Sequence, residues 1–94
     1  MKLFGAMEVR ENSLYIGGVN TEDLVKEYGS PLYVMDEKLL ADTCSEYYRN
    51  FKCDENGNRV AYAGKAFLTV EMCKLVKEQG LYLDVVSGGE LYTA

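Results

Sequence analysis

From Pro31 onward, apolar runs too short for a helix alternate with longer segments of helical period, and most changes are marked by a capping residue or a turn. Leu32-Tyr33-Val34-Met35 lies between Pro31 and Asp36, the pattern of a strand buried on both faces. Asp36 is placed to cap the next helix, which carries Leu40, Cys44, Tyr47 and Phe51 on one stripe. That stripe gives way to the turn-rich Asp54-Glu55-Asn56-Gly57-Asn58, and Val60-Ala61-Tyr62-Ala63 reads as a second strand. Thr69 then caps a helix with Met72, Cys73, Leu75 and Val76 inward and Lys74, Lys77 and Glu78 outward, stopped by Gly80. Residues 81–86 read as a third strand, and Ser87 and Glu90 have the spacing of a capping box opening a last helix. Repeated strand and helix with short connections predict an α/β fold of about three parallel strands with right-handed crossovers.

Residues 1–30 form a preamble to this pattern. Ser13-Leu14-Tyr15-Ile16 is a short alternating stretch closed by Gly17-Gly18. Asn20 is placed to cap a short helix with Glu22 and Asp23 at its positive end and Gly29 at its stop. Residues 31–94 then read as the first βα units of something larger. A closed eight-stranded α/β barrel needs roughly 250 residues, and no Gly, Asn or Pro stops the last helix, so Ala94 is read as a truncation point. The alternative is a complete small domain.

Composition narrows the chemistry. At 94 residues, 48% apolar and 27% charged, the chain suits one globular unit and excludes a multidomain reading. Ten Lys and Arg against fifteen Asp and Glu give a net charge of −5, the wrong sign for binding nucleic acid or an anionic membrane. With no His, neither a Ser-His-Asp or Cys-His pair nor a His-ligated zinc site can be built, and no metal site is expected. Cys44, Cys53 and Cys73 are an odd set without Cys-x-x-Cys spacing and are read as reduced packing residues in a cytoplasmic protein. No run approaches the roughly 18 apolar residues of a membrane span.

Chemistry must therefore use Lys, Asp, Glu, Tyr, Ser or Cys, and Lys65 stands out. It falls just past the carboxyl end of the second strand, the side on which parallel α/β folds carry their reactive groups. Its neighbours Ala63, Gly64 and Ala66 suggest a partly desolvated amine, nucleophilic toward an aldehyde such as pyridoxal phosphate. A solvated surface lysine is the competing reading of the same position. Asp84 ends the third strand, where it could equally brace the strand end. Ser87 and Glu90 are accounted for as a capping box, Gly88-Gly89 as the opening of a helix, and Tyr33, Tyr62 and Tyr82 as core residues.

Three ordered motifs carry a resemblance. Tyr62-Ala63-Gly64-Lys65-Ala66 resembles the Tyr-Ala-x-Lys-Ala-Asn motif of the barrel-type pyridoxal-phosphate decarboxylases. Asp84-Val85-Val86-Ser87-Gly88-Gly89-Glu90-Leu91 is similar to the segment that follows it in diaminopimelate decarboxylases, and Tyr28-Gly29-Ser30-Pro31-Leu32-Tyr33-Val34-Met35-Asp36 to the opening of that family. The resemblance implies the amino-terminal part of a (β/α)8 barrel of the alanine-racemase type. It also implies a pyridoxal 5′-phosphate enzyme that converts meso-diaminopimelate to L-lysine and carbon dioxide in lysine biosynthesis. Lys65 would hold the cofactor as a Schiff base, and Asp84 would lie close to both. Phe67 departs from the motif's Asn, so hydrogen bonding by that Asn is not carried over, while Gly64 at the variable position is read as without consequence.

In the resembling family, the remaining cofactor and substrate contacts come from later sequence and from a partner subunit. The parent protein is accordingly expected to be a homodimer acting on a small amino acid. These residues alone are expected to be inactive and, with open strand edges, to self-associate. The rival readings are an ornithine or arginine decarboxylase or an amino-acid racemase of the same fold, and a non-catalytic interaction module.

Overall fold

A computed structural model describes residues 2–94. Contacts gather in two compact units, Met1–Leu40 and Ala41–Ala94, where composition alone suggested one. Each unit is built from elements close in sequence.

The first unit contains an antiparallel meander of β1 (Met7–Arg10), β2 (Ser13–Ile16) and β3 (Val19–Asn20). Met7 pairs with Ile16 and Arg10 with Ser13, while Tyr15 pairs with Asn20. Strand β1 is an addition to the sequence reading. Its turn is Glu11-Asn12, with φ of 50° and 64°, the doubly left-handed backbone of a tight hairpin. Glutamate seldom adopts that region, so the usual Asn-Gly signal is missing. Helix α1 (Thr21–Tyr28) has its expected ends. The Asn20 side chain accepts from the Glu22 amide at 2.9 Å, and Gly29, at φ 82°, donates to the Val25 carbonyl at 2.8 Å. Thr21 Oγ1 donates to the Leu14 carbonyl at 2.9 Å and ties α1 to β2.

Residues 32–35 correct the expectation of a third parallel strand. They belong to no sheet among the described residues, and Leu32, Tyr33, Val34 and Met35 are all exposed, Tyr33 at 94%. A parallel strand is stable only where a neighbour satisfies its N–H and C=O groups on the ladder, and residues 32–35 pair with none of the described strands. Asp36 does what its position implied. One carboxylate oxygen accepts from the Leu39 amide at 3.0 Å and caps α2 (Glu37–Asn50), and the other accepts from the Ala6 amide at 2.9 Å.

These two bonds hold the Asp36 carboxyl below its ordinary value, the Ala6 amide contributing most and the Leu39 amide next. A group depressed in the folded state adds stability that is complete above its unfolded pKa, near 3.9, and is lost as pH falls through the lower folded value. Asp36→Asn is therefore expected to flatten the acid limb of the unfolding profile below about pH 4. Urea titrations at pH 3 and pH 6 check this. An Asp36→Asn chain losing as much stability between them as the unsubstituted chain would contradict it.

The second unit contains β4 (Ala61–Ala63), α3 (Val70–Glu78), β5 (Tyr82–Asp84) and α4 (Gly88–Thr93). β4 and β5 are parallel, with Ala61 beside Tyr82, Tyr62 beside Leu83 and Ala63 beside Asp84. This is a βαβ unit, so the observed sheet has two parallel strands, each shorter than predicted. The Thr69 hydroxyl accepts from the Met72 amide at 3.1 Å, as the cap requires. Met72, Leu75 and Val76 are buried with Cys44 and Cys53, and α3 packs on β5. The three cysteines are free, and burial pushes the Cys44 thiol up.

The tyrosines and the α2 stripe are a second correction. Tyr33, Tyr82, Tyr47 and Phe51 are exposed, Tyr62 is half-buried, and only Cys44 of that stripe is buried. A two-stranded sheet pairs only one edge of each strand and buries little of its faces, so apolar periodicity marks faces suited to burial rather than faces buried here. No helix among the described residues is long and apolar enough to cross a membrane.

Candidate active site

The carboxyl ends of β4 and β5 lie side by side, and the ladder continues past them. The Gly64 amide donates to the Asp84 carbonyl at 2.9 Å, which places the turn of residues 64–66 against the end of β5. Lys65 is carried at the middle of that turn. Two further bonds hold it. The Ala66 amide donates to the Ala63 carbonyl at 3.2 Å, and the Tyr62 hydroxyl donates to the Phe67 carbonyl at 2.6 Å. The second bond joins the first and last positions of the motif through a backbone atom. Phe67 can therefore occupy the Asn position with the loop still closed. Burial raises the Tyr62 phenol above its ordinary value, which keeps its proton on the donating oxygen.

Gly64 has a stronger role than the sequence suggested. It is buried, and a Cβ there would stand 3.0 Å from the Asp84 carbonyl oxygen and 3.2 Å from Glu90 Oε1. Both are closer than ordinary contact, and the first is a backbone atom that is itself bonded to Gly64. The close approach of the two strand ends thus depends on a residue without a side chain.

The structure brings Lys65 and Asp84 to the same end of the sheet, on adjacent strand ends. It departs from expectation in their surroundings. Lys65 is exposed rather than partly desolvated, because Ala63, Gly64 and Ala66 are too small to cover it. Asp84 also faces solvent, and its link to the loop runs through its backbone carbonyl.

Ser87 caps α4 as its spacing implied, its hydroxyl accepting from the Glu90 amide at 3.1 Å and donating to Glu90 Oε2 at 3.1 Å. The residue the sequence reading left out of the site is Glu90. Its other oxygen, Oε1, is buried beside Gly64 without a hydrogen-bond partner among the described residues. The available signal was its place on the first turn of the helix that follows the acid-ended strand. Arg59 lies at the opposite end of the strands, donating to the Tyr82 hydroxyl at 2.9 Å and the Cys53 carbonyl at 3.0 Å, and takes no part here.

A mixed α/β chain with a lysine and an acid at neighbouring ends of parallel strands falls in the class of α/β proteins that work at their strand carboxyl ends. No protein-family model matches it. The chain is a homologue of one segment of the diaminopimelate decarboxylases. It is 50% identical over 97 residues to the diaminopimelate decarboxylase of Bacillus methanolicus, a match covering 100% of this chain and 22% of that protein. It is 49% identical over 81 residues to that of Bacillus subtilis, covering 86% of this chain and 18% of the relative. Among solved structures, diaminopimelate decarboxylase from M. jannaschii matches with a TM-score of 0.82 at 35% identity, over 95% of this chain and 21% of that one. The same enzyme in complex with L-lysine matches with a TM-score of 0.75 at 33% identity, with the same coverage. The chain thus spans about a fifth of the length of the relatives it matches.

Proposed function

We propose that this chain carries the cofactor lysine of a pyridoxal-phosphate decarboxylase that converts meso-diaminopimelate to L-lysine and carbon dioxide. The observation that carries this reading is Lys65 in a loop held at the carboxyl ends of β4 and β5, within a chain that matches diaminopimelate decarboxylases along its length. The residues suit the cofactor. Lys65 offers an exposed amine with no ion pair among the described residues, and the missing side chain at Gly64 lets the end of β5 close against the loop that carries it. When bound, pyridoxal phosphate supplies an electron sink for the charge left as carbon dioxide departs.

The part played by this chain is orientation. Lys65 would hold the aldehyde group through Nζ. The Tyr62 hydroxyl on the Phe67 carbonyl and the Gly64 amide on the Asp84 carbonyl fix the base of the lysine, which limits where Nζ can reach. Asp84 adds negative charge at the same strand ends. The lysine complex of the M. jannaschii enzyme supports an amino acid as the ligand class. In this reading, residues 31–94 are the first βα units of a (β/α)8 barrel, residues 1–30 are its preamble, and the parent is a cytoplasmic homodimer without a nucleic-acid partner.

The test is covalent trapping. Pyridoxal phosphate and borohydride, followed by peptide mapping, are expected to label Lys65 above Lys74 and Lys77. The Lys65→Met chain should lose that label alone. Equal labelling of the three lysines, or none at Lys65, would refute the assignment.

A further inference from the structure

Glu90 Oε1 is the buried side-chain oxygen that the packing leaves bare among the described residues. The cap of α4 is complete without it, since Ser87 engages the Glu90 amide and Oε2. A carboxylate oxygen removed from water without a donor is costly, so its retention points to a donor that reaches it in another state. The candidate lies one residue away. Oε1 is 3.2 Å from where a Gly64 Cβ would stand, and Lys65 follows Gly64 directly. Consecutive Cα atoms are about 3.8 Å apart, which puts Oε1 within the length of a flexible four-carbon lysine stem. Asp84 is a poorer partner because its carboxylate faces solvent.

We propose that Glu90 is the positioning residue for Lys65, its Oε1 accepting a hydrogen bond from Nζ and holding the amine at the strand ends. This contact moves no proton and forms no covalent bond. This rests on the reading of Lys65 as the cofactor lysine.

Zero-length carbodiimide cross-linking of the chain, mapped by peptide mass spectrometry, reads the encounter without cofactor. A Lys65–Glu90 amide is expected beside a Glu71–Lys74 amide, whose partners stand 3.6 Å apart and serve as the internal standard. In a second measurement, trapping with pyridoxal phosphate and borohydride is expected to label Lys65, relative to Lys74 and Lys77, several-fold more in E90Q, because a carboxylate beside an ammonium favours its charged, unreactive form. E90D, which restores a carboxylate, should return the label toward the unsubstituted level. The standard cross-link without the Lys65–Glu90 link, or equal Lys65 labelling in the unsubstituted and E90Q chains, overturns the proposal. Absence of preferential Lys65 labelling in the unsubstituted chain overturns the cofactor-lysine reading instead, while the cross-link still reports whether Glu90 meets Lys65. Should E90Q fail to fold, the cross-link in the unsubstituted chain decides alone.

Discussion

Replacing Leu75 by alanine is expected to remove about 2–5 kcal/mol of stability, the range for deleting a buried leucine side chain. Leu75 is 8% exposed on the inner face of α3, between Met72 and Val76, where the helix packs on β5. Alanine is the better helix former, so the loss comes from packing and not from propensity. The effect is large because domains of this size hold about 5–15 kcal/mol in all. Leu91 is the matched control. It lies on α4 at 66% exposed, so Leu91→Ala should change stability by less than about 0.5 kcal/mol. Urea unfolding of the two variants checks the pair. Equal midpoints would mean that the α3 face is not the core of the second unit.

The second large effect falls on Gly80, the residue that turns the chain from α3 into β5. Its φ is 79°, and a Cβ would stand 2.7 Å from Tyr48 Cε2 and 3.1 Å from Cδ2. Tyr48 is held by the hydrogen bond its hydroxyl donates to Asp54, which raises its phenol above the ordinary value. That bond resists a shift of the ring away from a new Cβ. Gly80→Ala is expected to cost about 1–3 kcal/mol in backbone strain, with a further cost of about 1–3 kcal/mol from overpacking. Gly57 separates the two causes. It has φ 74° with nothing within 4 Å of a built Cβ, so Gly57→Ala should show the backbone cost alone. If both variants unfold at the same urea concentration, the Tyr48 contact contributes nothing.

What was legible in the sequence was local. Asn20, Asp36, Thr69 and Ser87 each cap the element their position implied, because a cap bonds an amide two or three residues away and needs no other part of the chain. The inward residues Met72, Leu75 and Val76 were readable for the same reason, since helical spacing puts them on one face. Lys65 was legible as a strand-end lysine, and its motif carried the rest of the assignment. Relatives at 50% and 49% identity bear on the resemblance and not on the role of Lys65, which the trapping experiment tests.

The failures are those of longer range. Residues 32–35 have the composition of a buried strand, but composition cannot supply the neighbours a strand must pair with. The apolar pattern of Tyr33 and Tyr82 likewise records suitability for burial, and both are exposed. Strand β1 was hidden because its turn uses Glu11 at φ 50°, a conformation that pairing across the hairpin imposes on a residue that does not favour it.

The site divides along the same line. The sequence alone determined that Lys65 follows a strand, that an acid ends the next one, and that Ser87 opens a helix with Glu90 on its first turn. Only the tertiary structure decided that Gly64 must lack a side chain, that Tyr62 closes the lysine loop through the Phe67 carbonyl, and that Glu90 turns a bare oxygen toward that loop. Each of these depends on how closely two segments approach in space. Patterns along the chain set which face a residue occupies, and the distance between faces is set by packing.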